Sequence, residues 1–230
     1  MGRLAVVGKR QTLGPAPATG RDASRPSLAL FDLGSHVTLY RHGLEAHVPP
    51  HATDYAGHLG ALRDVGCDRV LGLSSVGSLR EDLPVGSFVV PDDFLALAQP
   101  AVVADPDHQH VVPGFTPAWR DRLLAAWHDE AGEQVTDGGI YWQSTGPRFE
   151  TRAEVRLLAQ WADLVGMTMA SECTAANQVG LDYAGVCVVD NLANGIADEA
   201  LTIEAYERGA AANAARLRAN LDKLLPVLAS

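Results

Sequence analysis

"HATDYAGHLGALRDVGCDRVLGLSS", residues 51–75, holds the alternation that decides the fold. Its first part, up to Gly66, places Tyr55, Leu59 and Leu62 four and three residues apart, the spacing that puts apolar side chains on one face of a helix. After the turn residues comes "RVLGLSS", residues 69–75, a short apolar run with no polar alternation until its two serines. A run of that kind reads as a strand buried on both faces, as in a sheet covered by helices.

The same pattern continues outward. "RLAVVG" (3–8), "SLALFDL" (27–33), "HVTLYR" (36–41), "GSFVVPDDF" (86–94), "GGIYWQS" (138–144), "DLVGMT" (163–168) and "AGVCVVDN" (184–191) are further short apolar runs bounded by turn residues, and they read as strands. Residues 116–132, 151–162 and 201–228 carry the helical spacing, and "LVGMTMASE" turns from a strand through Met167 and Thr168 into another helix. Strands interleaved with helices predict an α/β fold: one domain over residues 1–230, with a central mixed, mostly parallel twisted sheet flanked by helices. Residues 13–26, rich in Pro, Gly, Ala and Ser, and residues 98–117 show no periodicity and read as loops.

Composition narrows the function. With 18 Lys and Arg against 28 Asp and Glu, the formal charge is -10, and no basic run stands out, so a nucleic-acid partner is not expected. Three widely spaced cysteines in apolar surroundings fit a reduced compartment. The first residues lack the apolar stretch of a secretory signal and no run of about 18 apolar residues occurs, so the expectation is a cytoplasmic protein without a membrane partner. The histidines of "HGLEAHVPPH" (42–51) fit no usual zinc spacing; those of "DPDHQH" (105–110) could form a cluster, yet surface loops often carry such residues, and no metal is expected. G-x-S-x-G, G-x-G-x-x-G and P-loop patterns are absent, which argues against a covalent hydrolase and a dinucleotide enzyme.

Polar residues collect at the strand ends, where ligands gather in open α/β sheets. Arg41-His42 offers a planar cation suited to grip an oxyanion, with an imidazole beside it. Ser74-Ser75 and the loop after them supply hydroxyls and amides that can hold phosphate. In "STGPRFETRAE" (144–154), Thr151 and Glu154 form a capping-box pattern. That leaves Phe149 and Glu150 before the helix, an aromatic face and a carboxylate for a planar ligand with N–H groups. Asp190-Asn191 ends a strand with groups able to bond a heterocycle, and Asn191 can both donate and accept. Taken singly, each of these is also an ordinary strand end.

In order and spacing, "LYRHGLEAHVPPH", "DYAGHLGALRDVGCDRVLGLSSVGSLREDLPVGSFVVPDDF", "GPRFETRAEVRLLAQWADLVGMTMASE" and "GLDYAGVCVVDNLANG" together resemble the nucleoside phosphorylase superfamily, in its trimeric branch of purine nucleoside and 5′-methylthioadenosine phosphorylases. The resemblance implies attack of inorganic phosphate on C1′ of a purine nucleoside, releasing free base and pentose 1-phosphate with no metal or other cofactor. It implies a homotrimer. Phosphate is then expected at Arg41, His42, Ser74 and Thr168. The base is expected at Ser75, Phe149, Glu150 and Asn191, and the ribose at Met167, with His110 contributed by the neighbouring subunit. His42, Glu150 and Asn191 are the expected catalytic residues. Asn191, with Ala193 two positions on, favours a 6-oxopurine over a 6-aminopurine in this family.

One stretch departs from the pattern. Relatives carry a Gly-Gly-Ser/Thr-Gly turn after the first strand, whose amides and hydroxyl hold phosphate. Here "VGKRQT" keeps Gly8 but places Lys9, Arg10 and Gln11 where small residues belong. Gly8 and Arg10 are taken as phosphate-site residues on the expectation that a side-chain cation, Lys9 or Arg10, replaces the lost donors. The changed turn leaves two other readings open: a hydrolase or specialised phosphorylase for a pyrimidine or biosynthetic 5′-modified nucleoside, and a silent nucleoside-binding homologue.

Overall fold

The computed structural model describes residues 2–21, 28–44, 47–99, 102–105, 107, 110–198 and 201–230. Its spine is two long parallel strands, β4 (Cys67–Ser78) and β10 (Asp182–Leu192), paired from Asp182 with Arg69 to Leu192 with Ser78. Both are almost wholly buried, as their unbroken apolar runs require. Parallel to β4 runs β1 (Arg3–Gly8), then β3 (Val37–Tyr40), with the short antiparallel β2 (Leu30–Asp32) at that edge. Beyond β10 lie β5 (Phe88–Val90), antiparallel to it, and the two-residue β7 (Thr136–Asp137).

The far end of β4 also pairs antiparallel with β9 (Leu164–Gly166), which carries β8 (Ile140–Gln143) and β6 (Asp93–Leu95) as parallel neighbours. These ten strands form one mixed sheet in which parallel pairs outnumber antiparallel ones, as the sequence pattern predicts.

Alternation along the strands builds two cores. Val70 and Val76 of β4 and Tyr183, Cys187 and Val189 of β10 face α2 (Tyr55–Asp64) and α5 (Met169–Gln178), meeting Leu59, Leu62, Met169 and Cys173. Leu71, Leu73, Ala184, Val186 and Val188 face the other way, onto α3 (Pro117–Glu130) and α6 (Ile203–Leu228), meeting Trp119, Leu123, Trp127, Leu217 and Leu221. This period of two decides which way each polar strand-end residue points. Ser74 follows the α2/α5 face and Ser75 the α6 face.

Two departures from the sequence reading concern helices. The segment after β1, for which the sequence reading gave no helix, forms a helical turn, α1 (Arg10–Leu13). The helix expected over 151–162 is α4 (Arg152–Leu158), because the amide of Trp161 turns back to the Leu158 carbonyl at 2.9 Å and tightens the last turn. Among the described residues no helix is long and apolar enough to cross a membrane. No group of three potential metal ligands occurs among them either, and His108 of the second histidine cluster lies outside the described residues.

Candidate active site

Carboxyl ends of the parallel strands open onto one cavity lined by Lys9, Arg41, His42, Ser74, Ser75, Phe149, Glu150, Met167, Thr168, Asn191 and Tyr206, with backbone of β4 and β9 between them. Residues from positions 9 to 206 therefore converge where a doubly covered sheet places its ligands. Most of the site residues expected from the sequence are brought together here. Three are not. Gly8 is buried beneath the cavity against Leu13 and Leu73, Arg10 is exposed, and His110 is exposed outside the cavity. Arg10 misses because Lys9 caps α1, and the roughly 100° advance per helical residue turns the next side chain to solvent.

Arg41 follows β3 and is only 2% exposed. Its Nε and Nη2 donate to the two carboxylate oxygens of Glu172 at 2.6 and 2.9 Å, and Nη1 donates to the Leu73 carbonyl at 3.0 Å. Burial works against the charged guanidinium, but the Glu172 carboxylate outweighs it and raises the Arg41 pKa. Glu172 also accepts from the Tyr183 hydroxyl at 2.7 Å. Of five N–H groups on Arg41, three are spent on protein and two remain for a ligand. Glu172 stood at the end of "MTMASE" in the sequence, and nothing in its spacing to Arg41, 131 residues away, pointed to a pair.

His42 is held through Nδ1, 2.8 Å from the Val48 carbonyl. A carbonyl only accepts, so Nδ1 carries the proton, and in the neutral ring Nε2 is an acceptor. Burial, with the neighbouring Arg41 charge adding to it, pushes the His42 pKa down to about 3.

Thr168 and Met167 sit where β9 passes into α5. Both backbone amides at the start of α5, those of Thr168 and Met169, donate to the buried Tyr141 hydroxyl at 3.1 and 3.3 Å, and the Tyr55 hydroxyl donates to the Met167 carbonyl at 3.4 Å. These tyrosines fix the turn and were not singled out by sequence. Met167 packs so closely on Gly146 that a Cβ there would lie 2.6 Å from the sulfur, and Gly146 has φ +68°, so only glycine fits.

Phe149 and Glu150 are placed by the helix that follows them. Thr151 accepts from the Glu154 amide at 3.2 Å and Glu154 accepts from the Thr151 amide at 2.7 Å, completing the capping box. Arg148 closes a bidentate ion pair on Glu154 at 2.8 Å per contact, while Asn194 donates to the Glu150 carbonyl at 3.1 Å. Phe149 meets the ring of Tyr206 edge to face at 5.6 Å. Tyr206 comes from the first turns of α6, and nothing in its sequence neighbourhood pointed it to the site.

At the end of β10 the register with β4 shifts between Val189 and Asn191. Asp190 faces α6, accepting from Ser75 Oγ and, at 3.0 Å, from Asn213 Nδ2. Ser75 thus reaches the cavity with its hydroxyl proton already given to Asp190. Asn191 turns into the cavity, 8% exposed, donating one Nδ2 proton to the Leu192 carbonyl at 2.9 Å. Its other N–H and its amide oxygen remain.

The family model described as the Phosphorylase superfamily matches residues 21–226. This chain belongs to the phosphorylase superfamily. Among relatives of this phosphorylase-superfamily chain, a probable 6-oxopurine nucleoside phosphorylase of Archaeoglobus fulgidus is 37% identical over 163 residues, 71% of this chain and 67% of the relative. A probable S-methyl-5′-thioinosine phosphorylase of Methanosarcina acetivorans is 40% identical over 174 residues, 74% of this chain and 66% of the relative. The alignments thus span about two thirds of these relatives. In fold, the superfamily chain matches methylthioadenosine phosphorylase from Schistosoma mansoni in complex with adenine, with TM-score 0.80 over 98% of this chain and 91% of that one at 23% identity.

Proposed function

We propose that the protein is a purine nucleoside phosphorylase, a pentosyltransferase that cleaves the N-glycosidic bond of a 6-oxopurine nucleoside or its 5′-modified form with inorganic phosphate. The observation that carries the reading is the single cavity lined both by anion-binding groups and by base-reading groups, in a superfamily whose relatives include 6-oxopurine nucleoside and methylthioinosine phosphorylases.

Arg41, His42, Ser74 and Thr168 hold phosphate, with Met167 against the ribose. An oxygen of phosphate forms a bond to C1′ as the C1′–N9 bond breaks and its electron pair leaves on the base. The sugar passes through an oxocarbenium-like transition state between two anions. No protein nucleophile, metal or cofactor is required. Rate comes from holding phosphate against C1′ and from hydrogen bonds that strengthen as charge grows on the base. Phe149 covers the base, the Glu150 carboxylate accepts from a ring N–H, and the free Asn191 N–H donates to O6 while its amide oxygen can accept at N7 once that atom is protonated. An amino group at C6 would meet the Asn191 donor with another donor, and that mismatch carries the preference for oxopurines.

The protein acts as one nucleoside phosphorylase-like domain, in the cytoplasm and as a homotrimer. His110, exposed and outside its own cavity, then supplies the 5′ end of the neighbouring site. The test is release of free base from inosine, guanosine, adenosine, methylthioinosine, methylthioadenosine and uridine, each with and without phosphate. Phosphate-dependent release, fastest from 6-oxopurines, is expected. Release that ignores phosphate would refute the reading.

A further inference from the structure

We propose that Lys9 is a phosphate-binding residue of this site, supplying a cation through its side chain from the turn after β1. The proposal rests on the phosphorylase reading above. Lys9 precedes residue 21, where the superfamily match begins, yet its side chain lines the same cavity as Arg41, His42, Ser74 and Thr168.

Charge is the first argument. Among the described residues, Lys9 and Arg41 are the two lysine or arginine side chains lining the cavity, and Arg41 is bound through two donors to Glu172. Burial keeps His42 neutral, and its Nδ1 proton is committed to the Val48 carbonyl. A dianion arriving there meets one guanidinium already offset by a buried carboxylate, so a second cation is needed for a firm grip.

Backbone geometry is the second. The Lys9 carbonyl accepts from the amides of Thr12 and Leu13, both at 3.0 Å, and the Arg10 carbonyl accepts from Gly14 at 2.8 Å. Those three amides close the helical turn α1 on itself, and of residues 9–14 it is Lys9 that lines the cavity. What this segment presents to the cavity is the Lys9 ammonium.

Placement is the third. Lys9 Nζ donates to the Tyr206 hydroxyl at 3.0 Å and stands 3.6 Å from Asp190 Oδ2, an ion pair longer than a direct hydrogen bond. Only one of its three protons is therefore spent on a close partner. Asp190 is itself immobile: it is 4% exposed and accepts from Ser75 on β4 and Asn213 on α6. Elements far apart in sequence thus hold the ammonium at the cavity with donors to spare, where an unanchored lysine would sweep through solvent.

The experiment compares the wild type with Lys9→Met and Lys9→Arg, measuring base release from inosine across a phosphate titration and across an inosine titration at saturating phosphate. For Lys9→Met the phosphate KM is expected to rise about ten- to a hundred-fold, the worth of a charge-assisted hydrogen bond, while the inosine KM moves little. Lys9→Arg, which keeps charge and donors, should recover most of the loss. A phosphate-dependent wild type whose phosphate KM is unchanged in Lys9→Met overturns this assignment and leaves the phosphorylase reading standing. A wild type indifferent to phosphate overturns both. A third arm uses inosine 5′-monophosphate: if Lys9→Met weakens that nucleotide and not inorganic phosphate, the lysine serves an anionic 5′ group and the assignment to phosphate fails.

Discussion

Arg41, in the cavity wall, and the buried Glu172 behind it form a two-point ion pair at 2.6 and 2.9 Å. Arg41 thereby ties three elements together, its donors joining β3 to α5 and β4, with two N–H groups left over. Removing one member of such a pair leaves a buried charge without its partner. Glu172→Gln should lower the unfolding free energy by about 3–5 kcal/mol. Urea titration followed by circular dichroism reads this directly, and a loss below about 1 kcal/mol, the range of exposed pairs, would show that the pair is not what holds Arg41.

Acid should weaken the fold through His42. Its folded pKa lies near 3 because burial disfavours the imidazolium, whereas an exposed histidine in the unfolded chain titrates near the ordinary value of 6.5. Above pH 6.5 both states are neutral and His42 contributes no pH dependence. As pH falls from 6.5 toward 3 the unfolded state binds a proton that the folded state refuses, so stability is lost across that window. At pH 5 the loss attributable to His42 should be roughly 1–2 kcal/mol relative to pH 7, allowing for its partial exposure. Burial also depresses His58, so the wild-type decline has more than one source. The measurement is therefore a difference: the pH 7 to pH 5 drop in urea stability should be smaller in His42→Gln than in the wild type, and equal drops would refute the assignment.

How much of this was legible in the sequence follows from the range of the forces involved. The alternation of apolar runs and helical spacings announced the mixed sheet and its covering helices because side-chain period is a local property. Phe149, Glu150 and Asn191 could be picked out because each sits at the end of a strand or just before a capped helix, and such ends are marked by turn and capping residues. Glu172 and Tyr206 could not. Their importance comes from partners 131 and 197 residues away, Arg41 and Lys9, and no periodicity records such a meeting. The turn after β1 was legible as altered but not as to which cation enters, because that depends on where helical geometry begins: at Lys9 the chain is still extended, and one residue later Arg10 has rotated to solvent.

In the proposed reading, the choice of base turns on Asn191. One Nδ2 proton is held by the Leu192 carbonyl, so a single N–H and the amide oxygen are left for the ligand. That tether fixes the orientation of the amide, since a flipped group would set its oxygen against the Leu192 carbonyl oxygen. The cavity therefore holds a donor in a fixed place, which in the proposed reading meets O6 of an oxopurine. An aspartate at the same position keeps the size but replaces that donor with an acceptor unless it is protonated, and an acceptor suits the amino group of adenine. Asn191→Asp should lower the ratio of kcat/KM for inosine over adenosine by about ten- to a hundred-fold, the cost of one mismatched buried hydrogen bond. The ratio is the informative quantity because phosphate binding and ribose contacts cancel from it. Unchanged ratios in the presence of saturating phosphate would remove Asn191 from base recognition and move the choice to Glu150.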